Sequence, residues 1–175
     1  MAQGVVLLFD GAADAAIRSL WSALDEAGVG SLGTYSHRRH HPHVSLVVAD
    51  AISSTVVARV LARSLRIPRA LTLDGVGAFV GRVLFLGVVP APELLEASAE
   101  IGTALGRAGV DIWSHYRPGQ WIPHCTLTQS VPQGQFGVAV DRVLNFPLPL
   151  VTTISGIALV DDTIGEILWR AELGE

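Results

Sequence analysis

The sequence predicts an α+β fold made of two related lobes around a shared cleft, and three observations carry that expectation. The word Pro-His-x-(Ser/Thr)-Leu occurs twice, as Pro42-His43-Val44-Ser45-Leu46 and Pro123-His124-Cys125-Thr126-Leu127. The two histidines stand 81 residues apart, and the same offset carries Ala27-Gly28-Val29 onto Ala108-Gly109-Val110, Tyr35 onto Tyr116, Thr72 onto Thr153 and Gly75 onto Gly156. Helical and strand periodicities also follow one another in the same order in both halves. Landmarks in register across half a chain argue for an internal duplication, about residues 1–81 and 82–175, within one domain.

The elements follow in order. Residues 4–9 form a short apolar run, read as a buried strand. Residues 12–27 carry Ile17, Leu20, Trp21 and Leu24 at helical spacing, and Gly28 supplies the helix C-terminus. A turn-rich segment, 30–42, leads into a strand at 43–49, with Pro42 placed where no ladder donor is lost. Ser53 and Ser54 cap a second helix reaching about Arg66, with Val56, Val57, Val60, Leu61 and Leu65 as its apolar face. Residues 71–79 and 82–89 read as strands joined by a tight turn containing Gly81. The second half replays this order. A helix at 92–108 with Leu94, Leu95, Ile101 and Leu105 ends at Gly109, and a strand follows at 124–129. A helix at 135–144 presents Phe136, Val140, Val143 and Leu144, and a closing hairpin, 152–160 and 166–173, turns around Asp161-Asp162-Thr163-Ile164-Gly165.

Composition narrows the function classes. Half of the 175 residues are apolar, enough for one well-buried domain. The apolar stretches are broken by Asp10, Arg59, Arg63, Arg82 or Pro90 before reaching the roughly 18 residues of a membrane span. The N-terminus lacks a basic leader, so no secretory signal and no membrane partner are expected, and the localisation expected is cytoplasmic. The net charge of −4 argues against a grip on long nucleic acid, which requires many phosphate-neutralising cations. The single cysteine, Cys125, excludes a disulfide framework, and strand alternation turns it away from its histidine neighbour as a buried thiol.

On an extended strand a histidine and a hydroxyl two residues apart project from one face. His43 with Ser45, and His124 with Thr126, therefore make two matching pairs. Two imidazoles with ordinary pKa values near 6.5 can hold opposite protonation states at neutral pH, one as base and one as acid. Arg38 and Arg39 precede the first motif. His37, His40, His41 and His43 crowd into seven residues and invite a metal reading, but no second ligand group with regular spacing accompanies them. A polar loop running up to the strand is the preferred reading, with no metal and no cofactor.

With both motifs in place, the chain resembles the 2H phosphoesterase superfamily, which includes RNA 2′,3′-cyclic phosphodiesterases also known as 2′-5′ RNA ligase-like proteins. The resemblance rests on His43-Val44-Ser45-Leu46, His124-Cys125-Thr126-Leu127, the segment from Gly75 to Val88 and the closing hairpin. It implies two mostly antiparallel sheets with outer helices around a central cleft. It further implies metal-independent hydrolysis of a 2′,3′-cyclic phosphate or 2′-5′ linked nucleotide, with His43 and His124 catalytic and Ser45 and Thr126 binding phosphate. Tyr35, Tyr116 and Trp121 are candidates to stack on the substrate, and Arg117 to meet its phosphate. Small nucleotides or RNA ends are the implied partners, and a monomer is expected. Thr128-Gln129 stands where many relatives have a small residue and an arginine, which bears on substrate class. The alternative is a non-catalytic nucleotide- or phosphometabolite-binding module of the same fold.

Overall fold

The computed structural model describes residues 2–62 and 66–173. Its strands and helices run β1 (Gln3–Phe9), α1 (Gly11–Glu26), β2 (His43–Ala49), α2 (Ser54–Leu61), β3 (Ala70–Phe79), β4 (Val83–Val88), α3 (Pro92–Arg107), β5 (His124–Thr128), α4 (Phe136–Leu144), β6 (Leu150–Asp161) and β7 (Glu166–Glu172). The order β1-α1-β2-α2-β3 is thus followed by β4-α3-β5-α4-β6, with β7 appended.

Local chemistry starts and stops these elements. Asp10 caps α1, its carboxylate accepting from the Ala13 amide at 2.8 Å while its other oxygen accepts from Thr153 at 2.8 Å, which ties the helix start to β6. Those bonds to the charged form hold the Asp10 carboxyl below its usual range. α1 ends with Gly28 at φ 75°, Gly28 N–H donating to Asp25 and Val29 N–H to Leu24. α3 ends the same way at Gly109, φ 87°, with Gly109 bonded to Gly106 and Val110 to Leu105. Both ends are Schellman motifs, which require a residue that tolerates positive φ.

Every described strand pair is antiparallel, and the order is β2-β1-β6-β3-β4-β5 with β7 also on β6. The expected two mostly antiparallel sheets are β2-β1-β6-β7 and β6-β3-β4-β5, and they share β6. β6 is 12 residues long, so its first part pairs with β3 (Leu150 to Thr153) and its remainder with β1 and β7, joining both halves into one hydrogen-bonded path. β2 and β5 lie at opposite ends of the path yet pack against each other. Loops cross between them: Leu32 N–H donates to Leu127 O at 2.9 Å, and Trp113 N–H to Val48 O at 3.0 Å. Leu32 and Trp113 are themselves 81 apart.

One large core runs through both halves, with Val44, Leu46, Cys125 and Leu127 all fully buried in it. α3 packs on β2 and α2, and α1 on α4, so helices of one half help to cover the other. The sheet's opposite face carries His43, Ser45, His124 and Thr126, as strand alternation requires. Among the described residues no helix is long and apolar enough to cross a membrane.

Three local expectations differ. α2 stops at Leu61, with Ala62 as its C-cap, and residues 63–65 of the expected longer helix lie outside the described residues. In α4 the buried stripe is Ala139 and Val143, while Phe136 and Leu144 are exposed. Leu95 of α3 is exposed as well. Short helices over a curved sheet bury only the residues facing it, and periodicity in nine residues does not say which face that is.

Candidate active site

A cavity of about 650 Å³ lies between β2 and β5, within the range of small-molecule sites. His43, Ser45, His124 and Thr126 all line it. Each histidine starts its strand directly after a proline and is fastened by its own backbone. His43 Nδ1–H donates to His41 O at 2.6 Å, and His124 Nδ1–H to Ile122 O at 2.7 Å. A carbonyl only accepts, so Nδ1 carries the hydrogen in both rings and Nε2 is the atom left for chemistry.

The two Nε2 atoms differ. His43 Nε2 meets the Ser45 hydroxyl at 3.1 Å. His124 Nε2 makes no hydrogen bond among the described residues. Its ring stands edge-on to Phe79 (4.8 Å between centroids) and beside Phe85 (5.2 Å), which are stacked on each other at 4.4 Å. Burial in this aromatic corner, with His43 and His115 nearby, lowers the His124 pKa against the raising effect of its bond to Ile122.

The register explains the corner. Gly77 pairs with Phe85 across β3 and β4, and Phe79 with Val83, so Gly77, Phe79 and Phe85 share the cavity face. With no side chain on Gly77 the Phe85 ring lies across β3.

Other candidate residues fall in two groups. Tyr116 and Trp121 line the cavity. Tyr116 is half-buried, desolvation pushing the pKa of its hydroxyl up to about 12, and Trp121 Nε1–H donates to Ser45 O at 3.1 Å, which ties the loop before β5 to β2. Tyr35 and Arg117 do not line it, contrary to the expectation. Tyr35 is half exposed, with the His40 ring 6.1 Å away. Arg117 is turned back onto its own loop, donating to Ile112 O at 3.2 Å and pairing with Asp111 at 3.3 Å, because loop carbonyls and a carboxylate lie within its reach. Arg39 faces Glu166 at 3.9 Å. Cys125 is fully buried behind the site, its thiol pushed up to about 12 by desolvation.

The cavity also uses residues that sequence reasoning passed over: His40, Asp162, Phe79, Trp113 and Gln120, besides Gln129 at the position noted after the second motif. His40 sat in plain view in the histidine run but carries no periodic signal. His37 bonds Asp162 O at 3.0 Å and packs against His40 at 4.2 Å, which seats the 37–40 loop on the β6–β7 turn. Gly165 in that turn, at φ 69°, leaves the space His37 occupies. Among the described residues no three His, Cys, Asp or Glu side chains gather as a metal-holding group.

Burial, with His37 adjacent, depresses the His40 pKa to about 4, and His41 and His124 are lowered as well, again chiefly by burial. A histidine whose folded pKa is below its unfolded value near 6.5 binds fewer protons when folded. Its contribution is therefore complete above about pH 6.5 and is lost as pH falls toward the folded pKa. The melting temperature is expected to drop between pH 6.5 and 4, and His40→Gln to flatten that drop. An equal slope in wild type and variant in a pH series of thermal melts refutes this role for His40.

An antiparallel α+β scaffold with a histidine and a hydroxyl from each end strand on one cavity defines the class as a two-histidine fold. The chain belongs to the 2′-5′ RNA ligase superfamily, whose family model matches residues 9–165, and thereby to the 2H phosphoesterases. Among solved structures it is similar to TT0787 of Thermus thermophilus (TM-score 0.64, 18% identity, covering 99% of this chain and 98% of that one). It is also similar to E. coli LigT complexed with 3′-AMP (TM-score 0.61, 16% identity, covering 99% and 98%). A structure described as a phosphoesterase gives a TM-score of 0.59 at 19% identity, covering 99% and 98%. No curated protein matches the sequence.

Proposed function

We propose that the protein is a phosphodiesterase of the two-histidine type that opens a 2′,3′-cyclic phosphate or cleaves a 2′-5′ linked nucleotide without a metal. Family membership supports phosphoesterase activity in general. The observation that carries the finer reading is the matched anchoring of His43 and His124: each Nδ1 is bound to the carbonyl two residues back, and both rings border one cavity. E. coli LigT, of the same fold, is described in complex with 3′-AMP. The repeated element order supports reading the chain as one bilobal domain that arose by duplication.

The lowered pKa of His124 and its unengaged Nε2 support the reading of His124 as the base and His43 as the acid. Water gives its proton to His124 Nε2 as its oxygen forms the new P–O bond. The bond from phosphorus to one ribose oxygen breaks, and His43 Nε2–H protonates that oxygen. Ser45 and Thr126 hold the non-bridging oxygens, placing phosphorus between the rings and offsetting charge that builds there.

The test is incubation of the purified protein with the four nucleoside 2′,3′-cyclic phosphates and a 2′-5′ linked dinucleotide, with and without EDTA. Product with unchanged rate in EDTA is expected. Tight binding with no product after prolonged incubation identifies a nucleotide-binding module instead, and dependence on added metal overturns the mechanism.

A further inference from the structure

Two non-glycine residues take the left-handed backbone region within three positions of the loop before β2, Ser36 at φ 54° and Arg38 at φ 59°. Such backbone persists only where its surroundings over-determine it. The residue between them, His37, supplies that hold. Its Nε2–H donates to Asp162 O at 3.0 Å, and its Nδ1 accepts from the Arg39 amide at 3.0 Å. A carbonyl only accepts and an amide N–H only donates, so both bonds exist together only in the neutral ring with its hydrogen on Nε2. This tautomer is the reverse of the one in His43 and His124. The ring also packs on His40 at 4.2 Å between centroids, and a Cβ at Gly165 would collide with it, so the imidazole sits directly on the β6–β7 turn.

What His37 fastens is the approach to His43. Among the described residues Arg39, His40 and His41 make no backbone-to-backbone hydrogen bond. Their course is set by the His37 ring, by the burial of His40 and by the ion pair of Arg39 with Glu166 at 3.9 Å, which is exposed and contributes little. The His41 carbonyl then accepts His43 Nδ1–H at 2.6 Å, which leaves His43 Nε2 toward Ser45 and the cavity. The 81-residue offset puts Pro118 opposite His37, so the second half has no counterpart. There the segment before His124 is tied directly to its neighbours, by Trp121 to Ser45 O and by Val88 N–H to Pro123 O at 3.1 Å. From this we infer that His37 is a positioning residue. In its neutral Nε2–H form it holds residues 37–41 on the β6–β7 turn, and through the His41 carbonyl it fixes the hydrogen of His43 on Nδ1. An acid that gives its proton from Nε2 ends as the Nδ1–H tautomer, which that carbonyl stabilises. The inference rests on the reading of His43 as the acid and adds to it the residue that presets the ring.

The His43 ring reports this coupling without any substrate. In nitrogen NMR spectra of the isotope-labelled protein at about pH 7.5, wild type is expected to show His43 with its hydrogen on Nδ1. His37→Ala is expected to move most of that population to Nε2–H, the form a free imidazole favours. It is also expected to lower kcat on a 2′,3′-cyclic nucleotide about tenfold while KM changes about twofold or less, as for a reacting group held less exactly. His37→Gln, whose amide reaches Asp162 O, is expected to restore the tautomer and to return kcat to within about threefold of wild type. Gly165→Ala keeps His37 but fills its seat, and is expected to act like His37→Ala. A His43 tautomer unchanged in folded His37→Ala and Gly165→Ala, or a kcat that His37→Gln does not recover, overturns the inference. If the tautomer follows His37 but wild type turns over no cyclic nucleotide, the proposed catalysis fails and the positioning stands. If wild type is active and the tautomer ignores His37, the catalysis stands and the positioning falls.

Discussion

His124→Ala and His43→Ala are each expected to lower kcat on a 2′,3′-cyclic nucleotide by roughly 10²–10⁴-fold, the usual contribution of a positioned acid or base. Their pH profiles separate the roles. As base, His124 must be neutral, so kcat/KM of the wild type rises with pH through the lowered His124 pKa, on a limb lying below pH 6.5. His124→Ala removes that limb, whereas His43→Ala keeps it. Both rings sit at the cavity face and neither belongs to the main core, so the variants are expected to stay folded by circular dichroism. A limb that survives in His124→Ala, or folded variants with wild-type turnover, would refute the assignment.

Gly77→Val is expected to produce the second large effect. A Cβ at Gly77 would lie 2.3 Å from the Phe85 ring, which is nearly buried and stacked on Phe79. The ring must leave its place, costing about 1–3 kcal/mol of stability, as overpacking generally does. His124 loses one wall of its corner, and a displacement of about 1 Å at a reacting group can cost up to roughly 10²-fold in rate. The measurement is thermal melting together with kcat, and Gly77→Val/Phe85→Ala, which frees the space, should recover stability but not rate. If Gly77→Val melts and turns over like wild type, the aromatic corner has no positioning role.

Much of the scaffold is legible in the sequence. Gly28 and Gly109 marked two helix ends because a Schellman turn needs positive φ, and both adopt it. Alternation placed Val44, Leu46, Cys125 and Leu127 on the core side and the histidine-hydroxyl pairs on the other, because a strand has a strict period of two. Where the signal is weaker, sequence pattern and structure differ. Periodicity turns Phe136 and Leu144 inward on a short helix whose buried residues are Ala139 and Val143. Arg117 was expected at the phosphate because loop position says nothing about which acceptor a long side chain will reach, and Asp111 is the nearer one.

By itself, the sequence determined the repeated word, its local geometry and the identity of the two imidazoles, because a dipeptide spacing on a strand and a proline before it act within a few residues. Tertiary structure alone decided that β6 would join both halves into one sheet path and that β2 and β5 would meet across a cavity. It alone decided that a glycine would admit a phenylalanine against His124, and that Asp162 and His40, rather than an arginine, would form the remaining wall. Those outcomes depend on contacts between residues far apart in the chain, where packing, desolvation and charge are settled together and no local pattern records the result.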